Sequence, residues 1–335
     1  MAGRAPGGGA DRRNLPVGAR VVSTTLVTGS HGWVGTHLRR LVAANSERVV
    51  GLGRRPRQAG PGETYHQLDL HDPEAVRARL QAVRPDVVFH LAATLPQRGA
   101  NAADVVADAV HTTYNLCQEL RRVDTRSGRP ARLVLAGSSA QYGAVPPELN
   151  PITEQTLPRP MGAYGHAKAA AESLALALGA DGRIAVLAAR PFNHVGPGED
   201  GATVAGSLAR RVADVVAGRA DRVQVADLDA VRDFTDVRDV ARAYVELAEL
   251  GRPGEIYNVC SGSGVTVRQV LETLLDLAGL DWSVVDVVAG RSDIRCQVGS
   301  AAKLAAETPW KAETPLRDSL RGLLTELATP AGAGQ

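Results

Sequence analysis

The chain has 335 residues, 44% of them apolar and 22% charged, which is enough for one large α/β domain or two unequal ones. A net charge of +2 gives no reason to expect a nucleic-acid partner, and no segment reaches the roughly 18 uninterrupted apolar residues of a membrane span. Cys117, Cys260 and Cys296 are too widely spaced for a zinc site and the eight histidines lack ligand spacing, so a cytoplasmic protein without metal is expected.

Residues 1–20, rich in Gly, Pro and Arg and without the apolar core of a secretory signal, read as a disordered leader. "RVVSTTLVTG" is then a β-rich run ending on glycine, and "GTHLRRLVAAN" carries Leu38, Leu41 and Val42 at helical spacing. "ERVVGLG" and "PDVVFHLAA" are further apolar runs, with the amphipathic helix "PEAVRARLQAV" between them. "ADAVHTTYNLCQEL" is a helix, "ARLVLAGSS" a strand, and the Tyr164 helix with "GRIAVLAARP" extends the pattern. Continuous apolar strands alternating with helices predict an α/β fold, a Rossmann-type doubly wound parallel sheet covered on both faces. A dinucleotide-binding domain is expected over 21–192.

Beyond Pro191 the composition changes. "HVGPGEDGAT" leads to a helix "VAGSLARRVADVVAG", a segment "VQVADLDAVRDFTDV", a helix "VRDVARAYVELAEL" and a strand "EIYNVCS". Residues 233–262 are expected to return to the main sheet. Residues 193–232 and 263–328 are expected to form a smaller C-terminal lobe over the strand ends, where open parallel sheets bind ligands. Residues 329–335 read as a tail.

"TLVTGSHGWVGTHL" spaces Gly29, Gly32 and Gly35 as GxxGxxG between strand and helix. Such a turn needs positive φ, lets the backbone approach a pyrophosphate and aims helix N-terminal amides at it. Glycine is abundant here (35 residues), so the spacing alone is weak; the flanking strand and helix favour a cofactor cradle of Gly29, Gly32, Trp33, Val34 and Gly35. NAD sites place an acid about 20 residues further on. That position falls near Gly53, where no acid stands but Arg54 and Arg55 do. Guanidinium forks suit a ribose 2′-phosphate, so NADP(H) is preferred with NAD(H) still possible; a solvated basic turn is the plainer reading. Asp69 and Leu70, after the next strand, are candidates to meet the adenine.

"YGHAK" puts Tyr164 and Lys168 on one helical face. A free phenol, with a pKa of about 10, is a poor acid–base catalyst at neutral pH. A nearby ammonium would favour the phenolate, and Ser138, at the end of "ARLVLAGSS", would supply a hydroxyl to the reacting oxygen. A Tyr-x-x-x-Lys pair alone is usually surface decoration. In order behind the glycine turn it is not.

At this point the chain resembles an extended short-chain dehydrogenase/reductase of the nucleotide-sugar branch, over roughly residues 21–325. The resemblance rests on "TGSHGWVG", "FHLAA", "SSAQYG", "YGHAK", "RPFNHVGPG", "LDAVRDFTDVRDVARAY" and "YNVCSG". It implies a catalytic Ser138, Tyr164 and Lys168, with the last two also touching the cofactor, and a homodimer formed through a helix bundle. It implies that Leu91, Ala92 and Ala93, following His90, border the cofactor, as do Pro191 and His194 around Phe192. It implies substrate contacts from Ser138, Ser139 and Asn193, and a nucleoside-diphosphate grip by Arg232 and Arg291. Two departures stand out: Ala109 where the family usually has Asn, and Ala167 where it has Ser.

The family's reactions share hydride transfer at a sugar carbon. A 4,6-dehydratase needs acids just after the catalytic hydroxyl, whereas here stand Ser139, Ala140 and Gln141. "RPFNHVGPG" and "LDAVRDFTDVRDV" look most like the GDP-4-keto-6-deoxyhexose reductases. The expectation is NADPH-dependent reduction of a nucleotide-linked 4-keto-6-deoxyhexose, with an epimerase as the alternative. A non-catalytic dinucleotide sensor or scaffold would be expected to lose Tyr164 or Lys168, and both are present.

Overall fold

The computed structural model describes residues 24–94 and 99–328; the expected leader over 1–20 and tail over 329–335 lie outside them. The first half alternates as the apolar runs require: β1 (Thr24–Thr28), α1 (Trp33–Asn45), β2 (Arg48–Gly53), β3 (Glu63–Gln67), α2 (Pro73–Val83), β4 (Val87–His90), α3 (Ala102–Leu120), β5 (Ala131–Ala136), α4 (Gly162–Gly179) and β6 (Ile184–Pro191). There follow β7 (Asn193–Val195), α5 (Val204–Val216), β8 (Val223–Val225), β9 (Val231–Asp236), α6 (Val237–Leu250) and β10 (Ile256–Val259). The chain continues through β11 (Gly264–Thr266), α7 (Val267–Ala278), β12 (Val285–Val287), β13 (Cys296–Gln297), α8 (Ala302–Glu307) and α9 (Leu316–Ala328).

Seven strands form a parallel sheet in the order β10-β6-β5-β4-β1-β2-β3. The apolar runs are continuous because both faces are buried. Leu26, Val50, Val88, Leu133 and Val186 face one way, against Leu80 of α2, Leu116 of α3 and Ala175 of α4. Their neighbours Val27, Val49, Phe89, Val134 and Leu187 face the other, against Leu38 of α1 and Val240 and Tyr244 of α6. The helix ends carry local signals. Asp72 accepts from the amides of Glu74 and Ala75 to start α2, Thr266 and Gln269 form a capping box on α7, and Gly279 at φ 68° ends it.

Of residues 233–262, α6 packs on the main-sheet core and β10 forms the sheet's edge beside β6. Residues 233–236 lie in β9 instead, which pairs with β7, β11 and β13. A separate core joins Leu208 and Val212 of α5, Leu271 and Leu274 of α7, Leu320 and Leu323 of α9, and Phe234 of β9. This second unit lies against the loop after β5: the Ile152 amide donates to the Val298 carbonyl at 2.8 Å and the Ser300 amide to that of Ile152 at 2.9 Å. No helix among the described residues is long and apolar enough to cross a membrane.

Candidate active site

Strand order reverses at β1, whose neighbours are β2 and β4, and the glycine turn follows directly from it. Gly29 adopts φ +67°, and a Cβ there would lie 3.0 Å from the Ala92 amide nitrogen at the end of β4. A Cβ on Gly35 would sit well inside contact distance of the Gly29 carbonyl oxygen. Gly32 stands at the N-cap of α1 with no side chain capping it and no acid in the first turn. The first amides of a helix have no partner within it, so the turn presents donors and a bare backbone, which fits a dinucleotide pyrophosphate.

Val34 packs onto the core, and the Trp33 indole docks on the loop after β7: Nε1 donates to the Pro197 carbonyl at 2.7 Å, and the ring lies 4.9 Å from that of His194. Burial pushes His194 down, and its Nδ1 donates to the Phe192 carbonyl at 3.2 Å. Pro191 is buried at the end of β6, opposite Val259. Leu91 and Ala92 border the core beside the turn, with Ala93 partly exposed next to them. His90 is a bridge in the interior: Nδ1 meets Thr28 Oγ1 at 2.8 Å, Nε2 meets Thr113 Oγ1 at 3.2 Å, and burial pushes it down to about 3.

At the end of β2, Arg54 crosses the strand ends: Nη2 donates to Thr94 Oγ1 at 3.0 Å and Nη1 lies 3.5 Å from Asp108 Oδ1. Arg55 is exposed, its carbonyl accepting from Tyr65 OH at 2.6 Å. Asp69 is exposed and accepts from the His71 amide at 3.0 Å. Leu70 has only its backbone to offer the adenine. Its side chain is 5% exposed in the core and its carbonyl is taken by Asn115 Nδ2 at 2.9 Å.

Beyond β5 the chain turns at once into a short 3-10 helix, Ser139–Gln141, capped by Ser138. Ser138 Oγ accepts from the Ala140 amide at 3.1 Å, and Ser138 acts on the Tyr164 phenol, opposing the effect of its burial. Gly165 lets α4 come this close, since a Cβ there would lie 2.7 Å from the Ala140 carbonyl oxygen. Lys168 donates to the Ala136 carbonyl at 2.8 Å and its Nζ lies 5.9 Å from the Tyr164 ring centroid. The three expected side chains therefore meet.

Burial raises Tyr164, with Ser138 opposing, and burial pushes Lys168 down to about 8 while Asp108 and Glu172 pull it back. Ser139 departs from its expected substrate contact. The 3-10 turn rotates it inward, where Oγ donates to Gln297 Oε1 at 3.2 Å.

Sequence reasoning missed the groups that hold these residues. Glu172, one turn beyond Lys168, pairs with Arg190 of β6 at 2.5 and 3.0 Å, both side chains being at most 5% exposed. Burial opposes the charge on Asp108, yet Thr94, His71 and Arg54 outweigh it and hold the carboxyl below its ordinary range. Their partners lie far off in the chain, so spacing gave no signal. The two departures noted from the sequence share one seam: Ala109 of α3 packs with Ala167 and Ala171 of α4, beside Tyr164.

On the second unit, Asn193 Nδ2 donates to the Asp233 carbonyl at 3.4 Å. Arg232 donates to Ser292 Oγ at 2.9 Å, which brings it next in line to the exposed Arg291. Asp227 accepts from the Ser292 amide and from Arg295, each at 2.6 Å, fixing that segment. Among the described residues, no group of three His, Cys, Asp or Glu side chains is placed to hold a metal ion.

Residues 25–260 match the model of the NAD dependent epimerase/dehydratase family. The chain belongs to that family. As an extended short-chain dehydrogenase/reductase it is 36% identical over 305 residues to GDP-6-deoxy-D-mannose reductase of Pseudomonas aeruginosa, covering 90% of this chain and 95% of that one. It superposes on RMD from Pseudomonas aeruginosa complexed with NADPH with a TM-score of 0.80 and 34% identity, over 92% of this chain and 99% of that one. A Thermus thermophilus UDP-glucose 4-epimerase in complex with NAD gives a TM-score of 0.77 at 27% identity, over 93% and 100%.

Proposed function

We propose that this family member reduces a nucleotide-linked 4-keto-6-deoxyhexose with NADPH, and that GDP carries the sugar. The observation that carries the reading is the convergence of Ser138, at the turn after β5, with Tyr164 and Lys168 of α4, where Gly165 lets the helix close on that turn and Lys168 Nζ lies 5.9 Å from the Tyr164 ring centroid. A phenol raised by burial is protonated at neutral pH, which is the form a ketone reduction needs. The glycine turn and the first amides of α1 would hold the pyrophosphate, Arg54 the 2′-phosphate, and Lys168 the nicotinamide ribose. The bound dinucleotide supplies the hydride.

Tyr164 would give its proton to the ketone oxygen as that carbon gains the hydride, so that the alcohol forms and a phenolate is left on Tyr164. Ser138 steadies the oxygen by a hydrogen bond. Lys168 stabilises the phenolate left behind until solvent returns the proton. Arg232 and Arg291 offer guanidinium forks to the nucleoside diphosphate, with Asn193 beside it. The kinship with a GDP-6-deoxy-D-mannose reductase supports both the reaction and the base. Exposed Val106 and Tyr114 on α3 support pairing of two copies through α3 and α4.

The epimerase reading is favoured by one observation, the engagement of Arg54 with Thr94 and Asp108, which leaves a 2′-hydroxyl as easily housed as a phosphate. One assay separates the two. The purified chain is given GDP-4-keto-6-deoxymannose and NADPH, and absorbance and sugar products are followed together. Equimolar loss of NADPH and gain of a 6-deoxyhexose is the expected result; an altered sugar configuration without net NADPH loss would make it an epimerase.

A further inference from the structure

Arg54 is already engaged by an anion of the protein itself. Its side chain leaves the end of β2 and reaches Thr94, beyond β4, and Asp108, in the second turn of α3. The turn does not need that side chain, because the Arg54 carbonyl is held separately by Gln67 Nε2 at 3.0 Å. Asp108 is only 7% exposed, yet its carboxylate is kept charged there by the Thr94 hydroxyl, by Arg54 and by His71 Nε2 at 3.2 Å. A buried carboxylate thus stands at the cofactor groove, aimed at the guanidinium proposed to receive a phosphate.

We propose that Asp108 competes with the 2′-phosphate of NADPH for Arg54 and so sets how strongly the protein prefers NADPH over NADH. The inference rests on the reading of Arg54 as the 2′-phosphate ligand. Carboxylate and phosphate are both oxyanions that a guanidinium grips with the same N–H fork. To receive the phosphate, Arg54 must release Asp108 or be shared between two anions. NADH, with a neutral 2′-hydroxyl, makes no such demand. Asp108 is a positioning residue here: it acts on the cofactor through Arg54 and tempers a preference that the arginine alone would make steeper.

The test is the dissociation constants of NADPH and NADH, by fluorescence titration of the full chain, for the parent, Asp108→Asn, Arg54→Ala and the double variant. Asp108→Asn is expected to tighten NADPH about two- to fivefold, as for a half-exposed ion pair, and to leave NADH unchanged. In the Arg54→Ala background the gain should vanish. Weaker NADPH binding by Asp108→Asn would overturn the proposal, because Asp108 would then be presenting Arg54 to the phosphate. A gain that persists without Arg54 would overturn it too, since the carboxylate would then repel the phosphate directly. Equal changes for both cofactors would mark a structural role only. If Arg54→Ala leaves the NADPH-to-NADH ratio unchanged, the reading of Arg54 itself fails, and that outcome is distinct from a silent Asp108→Asn beside an active Arg54. Asp108→Ala removes the whole carboxylate, charge and acceptor oxygens together, and gives the same readout should the Asn variant not fold.

Discussion

Lys168 carries a cost that its neighbours do not. The residue is 7% exposed and burial depresses its pKa from 10.5 to about 8. From pH 8 to 10.5 the unfolded chain holds a proton that the folded one has released, so stability rises with pH across that window. Below pH 8 the full penalty is present. Lys168→Met should therefore raise Tm at pH 7 by a few degrees, less what the lost bond to Ala136 costs, and the gain should fade by pH 10.5. A variant that melts lower at pH 7 would refute this account. Tyr164→Phe should cut kcat by at least about 10²-fold and leave the NADPH dissociation constant within twofold of the parent's; undiminished turnover would remove Tyr164 from the chemistry. That Ser138, Tyr164 and Lys168 come together was legible in the sequence, from the strand end, the four-residue helical spacing and the order of the family's motifs. Asp108 and Glu172 were not, because each matters only through a partner that folding delivers.

At the level of elements, α4 is fastened to the sheet by one buried ion pair. Glu172 and Arg190 are at most 5% exposed, and Arg190 also lies 4.8 Å from the centroid of the Tyr142 ring. Removing one partner leaves the other charge stranded, so Glu172→Gln should cost about 3–5 kcal/mol in urea unfolding. Joint replacement by Leu and Met should restore most of that, and a Glu172→Gln loss below about 1 kcal/mol would mean that the pair does not fasten the helix. The long strands and helices were readable from uninterrupted apolar runs and 3.6-residue periodicity. β7, β8 and β11–β13 were not, since runs of two or three residues carry no period and form only where β9 and one another supply the edges. Ala109 and Ala167 looked like two separate losses in the sequence. Side by side between α3 and α4 they are one close-packed contact, and the spacing of the two helices beside Tyr164 depends on both.

Across the whole molecule, the glycine turn and the second unit meet at Trp33. The Pro197 carbonyl accepts from Trp33 Nε1 at 2.7 Å and from His37 Nε2 at 2.9 Å, while the Gly198 amide donates to Glu326 of α9. Trp310 is buried in the main core and Trp282 stacks on Arg268, both away from the turn. Titration with NADPH should therefore change tryptophan emission mainly through Trp33, and Trp33→Phe should abolish most of that change. An undiminished signal in the variant would place the reporter elsewhere.

The place of β10 has a consequence for how the chain is made. Strands β1 to β6 are complete by residue 191, but the strand that covers the outer edge of β6 begins only at Ile256. A nascent chain must therefore carry an open, apolar strand edge through the synthesis of some sixty intervening residues, which is the interval in which edge-to-edge association between chains is easiest. Slower translation through 192–255, or a truncation within it, would be expected to send this protein into aggregates even though every strand of the first half is already present.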